Sequence, residues 1–234
     1  MTAAFYNFDP DMVTRAVPEC GEVVDAAVLC RVRAIAAAEA LSDICSTDAR
    51  SSAIAVLALL RRVSDSAEVS GRMLAAANRS LWPTIATALG TGGLGEVWQA
   101  CTTLREHRGD GHAAALVTHR VDGIGAHLLA AGTKGVPADV LRENRGWGEE
   151  EWDAATSQLA GRGLLHADGR ATDAGRTLHA AIEELTDRRA AAAYAGLSDG
   201  ALVDLHGALR ACAADVVASG MLPFPNPMGL PRVA

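Results

Sequence analysis

The sequence predicts a mainly α-helical protein whose C-terminal part is a winged helix-turn-helix module with a short β-hairpin wing. Three observations lead to this fold class. Half of the 234 residues are hydrophobic but only 4% are aromatic, and much of the hydrophobic fraction is alanine, a strong helix former. Apolar residues recur at three- and four-residue steps along most of the chain. From Asp110 or His112 onward the predicted order is helix, short helix, helix, hairpin, helix, which is typical of a winged helix.

The first 92 residues are predicted to form a helical module. Apolar side chains on one face indicate a helix from Gly21 to about Leu41, after Pro18 has ended any shorter helix before it. Further helices are predicted over 47–63, 64–79 and 82–89. The glycine-rich run Gly90–Gly95 then breaks the chain. We therefore expect a module at 1–92 and a second one at 93–234.

The second module carries the clearest pattern. A helix is predicted to about His107, and another from Asp110 or His112 to Ala131, separated by Gly109 and Gly111. The segment GWGEEEWDAATSQLAG is predicted to be the recognition helix. It is followed by an Asp168–Gly169 hairpin turn between two short strands, and by a helix capped by Thr172 or Asp173. A last helix is predicted from Ser198, before a proline-rich tail.

The charge pattern argues against DNA binding through this module. The chain has a net charge of -7 and a pI near 5.5, so binding to phosphates requires a local basic patch. The predicted recognition helix instead begins with four carboxylates within Glu149–Asp153, and the wing offers only His166 and Arg170. Acidic residues also suit the N-terminus of any helix. We expect no DNA binding through this helix.

The cysteines and the hydropathy indicate a cytoplasmic protein that contacts no membrane. Five cysteines are scattered without a C-x-x-C pair, which predicts small buried side chains and no disulfide framework. Neither a signal peptide nor an apolar run of about 20 residues is found.

One polar cluster, LREHRGDGH, could carry chemistry. His107 or His112 is suited to act as acid or base, oriented by Glu106 or Asp110. The guanidinium of Arg105 or Arg108 could hold an anionic group of a substrate. Leu116 and His119 follow His112 at four- and seven-residue steps, so a further imidazole could face the same pocket.

Other interpretations of this cluster stay open. It could be an exposed turn with local ion pairs. Metal ligation by Glu106, His107, Asp110 and His112 matches no established spacing, and an axial haem histidine has no signature at this level, so no metal or other cofactor is assigned. Tyr6, in the aromatic group FYNF, either anchors the N-terminus or touches a substrate.

Four separated segments of the chain are distinctive: FYNFDPDMV, LREHRGDGHAAALV, RGWGEEEWDAATSQLAGRGLL and LPFPNPMGLP. Together they resemble the SalK-like actinobacterial winged-helix family. The resemblance implies a module related to the MarR-type regulators and a homodimer, and some family members occur in natural-product gene clusters. The residues that fall on the family's shared start, polar segment and tail are Phe5, Tyr6, Phe8, Arg105, Glu106, His107, Arg108, Asp110, His112, Pro223, Phe224, Asn226 and Pro227. The resemblance supplies no reaction.

The function that we expect is small-molecule binding on a winged helix that does not bind DNA. Within that function, we expect an enzyme of natural-product metabolism that uses histidine and carboxylate acid–base chemistry. The alternatives are a ligand-responsive MarR-like transcriptional regulator and a purely structural partner protein. The proline-rich tail and the resemblance predict that helices near both termini form the homodimer.

Overall fold

The computed structural model describes residues 5–90, 92–226, 228, 230, 232 and 233. These residues are mainly helical, which confirms the predicted helical class. The helices are α1 (Pro10–Val23), α2 (Ala26–Ile44), α3 (Thr47–Ala55), α4 (Leu57–Ser66), α5 (Met73–Ser80), α6 (Trp82–Leu89), α7 (Leu94–Thr118), α8 (Gly123–Lys134), α9 (Ala138–Arg145), α10 (Glu149–Gly161), α11 (Asp173–Ala191) and α12 (Asp199–Ala218). A 3-10 turn at Ala192–Tyr194 lies between α11 and α12.

The chain divides into two compact units, each assembled from separated stretches. Unit 1 comprises Met1–Cys20, Gly111–Arg188 and Phe224–Pro231, and unit 2 comprises Gly21–Asp110, Arg189–Pro223 and Arg232–Ala234. The boundary that the sequence predicts between a module at 1–92 and a module at 93–234 stays a prediction.

Several helix boundaries differ from the predicted ones. α1 continues through Pro18, since an internal proline removes only its own N–H bond and does not always end a helix. The helix predicted over 47–63 is two helices, because the backbone turns at Val56. Its first part is capped by Ser46, whose hydroxyl accepts the Ala49 N–H. The helix predicted over 64–79 begins only at Met73.

The predicted glycine break between two helices near residue 110 is wrong. α7 runs without interruption from Leu94 to Thr118 and includes both Gly109 and Gly111. Each glycine costs a helix only about 1 kcal/mol relative to alanine. Buried apolar residues at both ends of α7, such as Val97 and Leu116, secure it by packing. The chain instead turns after α7, and α8 begins behind the Asp122 cap.

Unit 1 contains the helix-turn-helix. α8 packs against α9 and α10, and their apolar faces share one core with Trp152, Leu159 and Ile182. Between α9 and α10 the chain turns at Gly146, which has a positive φ of 78°. The predicted recognition helix is therefore α10.

The predicted β-hairpin wing is wrong. Within the described residues, the segment after α10 holds one isolated antiparallel bridge, Leu165–Ala171, and no two-stranded ladder. Both bridge residues are buried in the core, and the Ala171 N–H donates to the Gly132 carbonyl of α8. Thr172 already caps α11, since its hydroxyl accepts the Gly175 N–H. The bridge is closed by the bonds from the His166 N–H to the Arg170 carbonyl and from the Thr172 N–H to the Leu164 carbonyl, and α11 begins directly after it, which leaves no room for a longer ladder.

Unit 2 is a helical bundle. α12 packs against α3 and α2, and α2 packs against α6. Its core includes Leu60, Trp82, Val97 and Leu205. Among the described residues of the whole chain, no helix combines the length and the apolar character needed to cross a membrane.

Candidate functional site

The polar segment Arg105–Asp110 belongs to unit 2, where His107 is buried. The residue is only 3% exposed. Burial lowers the pKa of its imidazole below the usual value, and the nearby Arg72 guanidinium lowers it further. A hydrogen bond to the Glu68 backbone and the charge of Asp110 act in the opposite direction. Such an imidazole is neutral near pH 7 and is shielded from solvent.

Asp110 has a structural role on the same helix. Its carboxylate accepts the N–H of Ala75 at 3.0 Å, and Ala75 lies in the first turn of α5. The residue before α5, Arg72, provides no side-chain cap of its own. Instead, its guanidinium donates to the backbone carbonyl of His107. Asp110 therefore caps α5 from a distance, which occupies one carboxylate oxygen.

The remaining residues of this segment are not brought together into a site. The side chain of Arg105 is 59% exposed and pairs with its neighbour Glu106, and Arg108 is half-buried. On a continuous helix, successive residues are 100° apart and face different directions. The segment is dense in sequence but distributed around α7 in space.

His112 lies in unit 1 within a polar network. Its Nδ1 is 3.0 Å from the Thr186 hydroxyl, which itself donates to the Ile182 carbonyl. Because that hydroxyl has already given its proton, His112 Nδ1 must carry the hydrogen of this contact. The Glu183 carboxylate lies 4.0 Å from Nδ1 and 3.7 Å from the Lys134 ammonium. This arrangement fixes the tautomer of His112.

The turn that follows α7 has an unusual backbone. The Val121 N–H donates to the Leu116 carbonyl and the Arg120 N–H to the Val117 carbonyl, which is the Schellman pattern of a helix end. In that pattern the residue before the last donor adopts a left-handed conformation, usually as glycine. Here it is Arg120, at φ 53°. No other non-glycine residue in the described part of the chain has a positive φ.

Two side chains hold this turn from outside. Arg162, just after α10, donates to the Arg120 carbonyl at 2.7 Å and to the His119 carbonyl at 3.3 Å. The Tyr6 hydroxyl donates to the Val121 carbonyl. Burial raises the pKa of this phenol, and the charge of Asp122 adds to the effect. Three side-chain hydrogen bonds from outside α7 therefore hold the carbonyls of this turn.

A pocket of about 210 Å³ opens beside the turn, and we call it the turn pocket. It is lined by Tyr6, Val117, Arg120, Val121, Asp122, Ala155, Gln158, Leu159 and Arg162. All of these residues belong to unit 1. The Arg120 guanidinium makes no hydrogen bond or ion pair with any residue that the structure describes. The lining thus combines the apolar residues Val117, Val121, Ala155 and Leu159 with the charged residues Arg120, Asp122 and Arg162.

Of the eight predicted site residues, only Tyr6 lines this pocket, and His119 contributes a carbonyl to its turn. Arg120 and Arg162 were not among the predicted site residues. An arginine at a left-handed position has no signature in a single sequence, and Arg162 reaches the turn only in the folded chain. His127 was not predicted either, and its Nε2 contacts the Asn7 carbonyl at 2.9 Å. Burial lowers the pKa of His127 to about 4.

The first turn of α10 is acidic and exposed. Glu149, Glu150, Glu151 and Asp153 all face solvent, whereas Trp152 is buried. One carboxylate has a local role, since Glu151 accepts the Gly148 N–H at 3.1 Å and so closes the helix N-terminus. The others are available to whatever approaches this end of α10.

Metal ligation lacks geometric support in the part of the chain that the structure describes. No three histidine, cysteine, aspartate or glutamate side chains come together there in a group that could hold a metal ion.

The fold thus defines a mainly helical protein with a helix-turn-helix in one of its units. A model of a helix-turn-helix family matches residues 1–223, and the chain belongs to that family. None of the curated proteins matches it. No solved structure matches it either.

Proposed function

We propose that this helix-turn-helix protein binds a small anionic molecule in the turn pocket, and that α10 does not bind DNA. The observation that carries the first part is Arg120. A left-handed conformation costs a residue with a side chain about 1 kcal/mol or more relative to glycine. Arg120 lines the turn pocket, and its exposed guanidinium makes no hydrogen bond or ion pair within the described chain. Strain of this kind is typical of functional positions.

The lining of the pocket supports a particular ligand chemistry. Arg120 supplies a guanidinium, which suits a carboxylate through two parallel hydrogen bonds. The ring of Tyr6 and the side chains of Val117 and Leu159 supply an apolar wall. The volume is below the roughly 300–1,000 Å³ of pockets for drug-sized ligands. We therefore propose a small carboxylate with an apolar body.

The experiment uses benzoate as the probe and neutral benzamide as its matched control, both in calorimetric titrations. Wild-type protein should bind benzoate saturably and benzamide at least about tenfold more weakly, because the charged contact is absent. Equal affinities would contradict the role of the guanidinium.

Arg120→Gly separates function from stability. Glycine removes the guanidinium and suits the left-handed turn, so benzoate binding should weaken about tenfold or more while the free energy of unfolding rises by about 1 kcal/mol. A variant that is more stable and still binds benzoate normally would refute this site. A less stable variant would contradict the strain argument.

The DNA part of the proposal rests on the exposed carboxylates of α10. A recognition helix brings its N-terminal side chains to the base edges and flanking phosphates. At this end α10 presents Glu149, Glu150 and Asp153, and like charges repel over the Debye length of about 10 Å at 0.1 M salt.

The second candidate function is a ligand-responsive transcriptional regulator, and the family membership is the observation that favours it. Fluorescence anisotropy with duplexes from the protein's own upstream region distinguishes the two functions. We expect no specific complex at physiological salt. A sequence-specific complex at nanomolar protein that survives competitor DNA would establish the regulator.

Acid–base chemistry remains part of the proposal in a narrower form. Of the two predicted histidines, His112 is the better placed, because it is a quarter exposed and its tautomer is fixed by Thr186. In this proposal the Glu183 carboxylate, 4.0 Å from His112 Nδ1, would take the orienting role that was predicted for Glu106 or Asp110. A role in natural-product metabolism rests on the resemblance alone.

A further inference from the structure

We propose that Cys45 and Cys212 form a reversible disulfide, so that this pair of thiols is an oxidation site within unit 2. Cys45 is the residue at which α2 ends, and Cys212 lies in α12. Both belong to unit 2, where α12 packs against α2 and α3. Both are free thiols in the structure. They are 167 positions apart in the sequence, so only the fold brings them together.

The two thiols contact each other directly. A side-chain hydrogen bond joins the thiol of Cys212 to that of Cys45. The Sγ of Cys45 lies 3.9 Å from the carbonyl oxygen of Cys212, and the Sγ of Cys212 lies 3.3 Å from the carbonyl oxygen of Ala49 in α3. Each sulfur thus reaches the backbone on the other side of the contact. From hydrogen-bond distance, the sulfurs need to approach by only about 2 Å to reach the S–S bond length of about 2.05 Å.

A second contact between the same two stretches of chain holds them together. The backbone N–H and the hydroxyl of Ser46 both donate to one carboxylate oxygen of Asp215, at 2.8 and 2.9 Å. Ser46 directly follows Cys45, and Asp215 lies about one helical turn beyond Cys212. These two hydrogen bonds therefore hold the junction of α2 and α3 against α12 at a point adjacent to both cysteines.

The two thiols differ in accessibility, which sets the order of the reaction. Cys212 is partly exposed, whereas Cys45 is 4% exposed. The thiolate of Cys212 attacks one sulfur of a low-molecular-weight disulfide, and the other sulfur leaves and is protonated to a thiol. The sulfur of Cys45 then attacks the Cys212 sulfur and displaces the second thiol. The protein gives up two protons and two electrons, and the small disulfide takes up both. The product joins α12 covalently to the junction of α2 and α3.

The surroundings of Cys212 determine how the rate depends on pH. Burial raises the pKa of its thiol to about 12, and the hydrogen bond with Cys45 and the charges of Cys45, Asp215 and Cys101 act in the same direction. Only the thiolate attacks a disulfide. We therefore expect the oxidation to accelerate about tenfold per pH unit between about pH 7 and 9.

The test incubates the full chain with oxidised glutathione and maps its disulfides by mass spectrometry under non-reducing conditions. The wild type should lose two hydrogen masses and yield one cross-linked peptide pair that contains Cys45 and Cys212. Reduced glutathione should reverse both changes. Because this reading is made on the wild type, it does not depend on whether a variant folds. A wild type in which Cys45 and Cys212 stay thiols, or carry only glutathione, would overturn the proposal.

Cys101→Ser is the matched control. Cys101 packs against the same core, and within the described chain it makes no hydrogen bond with the thiol of Cys45 or of Cys212. The control should form the cross-linked peptide pair as fully as the wild type. Cys45→Ser and Cys212→Ser should each form no disulfide within the chain. A disulfide from Cys101 to either thiol in the wild type would contradict the pairing.

Discussion

His107 and His112 lie on one helix, five residues apart, in two different environments. His107 is 3% exposed and its imidazole has a lowered pKa. The side chain of His112 is 23% exposed and is oriented by Thr186 and Glu183. The first is part of the interior of unit 2, and the second is accessible in unit 1. Dense polar residues on a continuous helix need not form one site, because the helix turns them to different faces.

A third histidine, His127, extends the comparison of buried and accessible imidazoles. We expect the largest change in stability at this residue, because burial lowers the pKa of its imidazole strongly. The pKa is 6.5 in the unfolded chain and about 4 in the folded protein. The stabilising contribution is intact above pH 6.5 and is lost as the pH falls from 6.5 towards 4, a loss of about 3 kcal/mol across that window.

Urea denaturation at several pH values measures this loss. His127→Gln keeps a donor for the Asn7 carbonyl but does not titrate, so its stability should fall less between pH 6.5 and 4 than that of the wild type. Parallel curves for the two proteins would show that His127 is not buried as a neutral group.

Truncation tests the two histidines of the polar segment against each other. His107→Ala removes a buried side chain and should lower the free energy of unfolding by about 2 kcal/mol. His112→Ala, at a partly exposed position, should cost about 1 kcal/mol or less. Thermal and urea denaturation give both values. Equal costs, or a larger cost at His112, would reverse the comparison.

Substitutions of Asp110 test whether the polar segment stabilises the fold. Asp110→Ala removes the cap of α5 and should destabilise the protein by about 1 kcal/mol. Asp110→Asn is the control, since its amide oxygen can still accept the Ala75 N–H, and it should cost clearly less. If both variants are as stable as the wild type, Asp110 does not cap α5.

Gly109 gives the smallest effect and the opposite sign. Its backbone is helical, and an added Cβ would meet only the flexible Glu106 carboxylate at 3.7 Å. Gly109→Ala should therefore stabilise the protein by about 0.5–1 kcal/mol. Gly135→Ala, at φ 69° in open space, should destabilise it instead. A loss of stability in Gly109→Ala would instead support the predicted break between two helices at Gly109.

The sequence predicted the helical class well, because helix periodicity and caps are local. α12 begins behind Ser198 and α11 behind Thr172, as expected. The prediction of a β-hairpin wing was wrong because the hydrogen bond from Ala171 to Gly132 is a tertiary contact, which a local sequence pattern does not indicate. The predicted helix break was wrong for a similar reason: two glycines suggested it at residues 109–111, whereas α7 continues to Thr118 and the turn is at Arg120. The site residues predicted around that break stay a prediction. Tyr6 was found through its aromatic neighbours, but Arg162 reaches the turn only through the fold.

The central claim is that the ligand site lies beside the turn after α7 and not in Arg105–Asp110. Benzoate titrated into isotope-labelled protein, followed by amide shifts in nuclear magnetic resonance spectra, tests it most directly. Saturable shifts are expected at Arg120, Val121 and Asp122, with little change at Arg105–Asp110. Saturable shifts centred on Arg105–Asp110, with the turn unaffected, would contradict it.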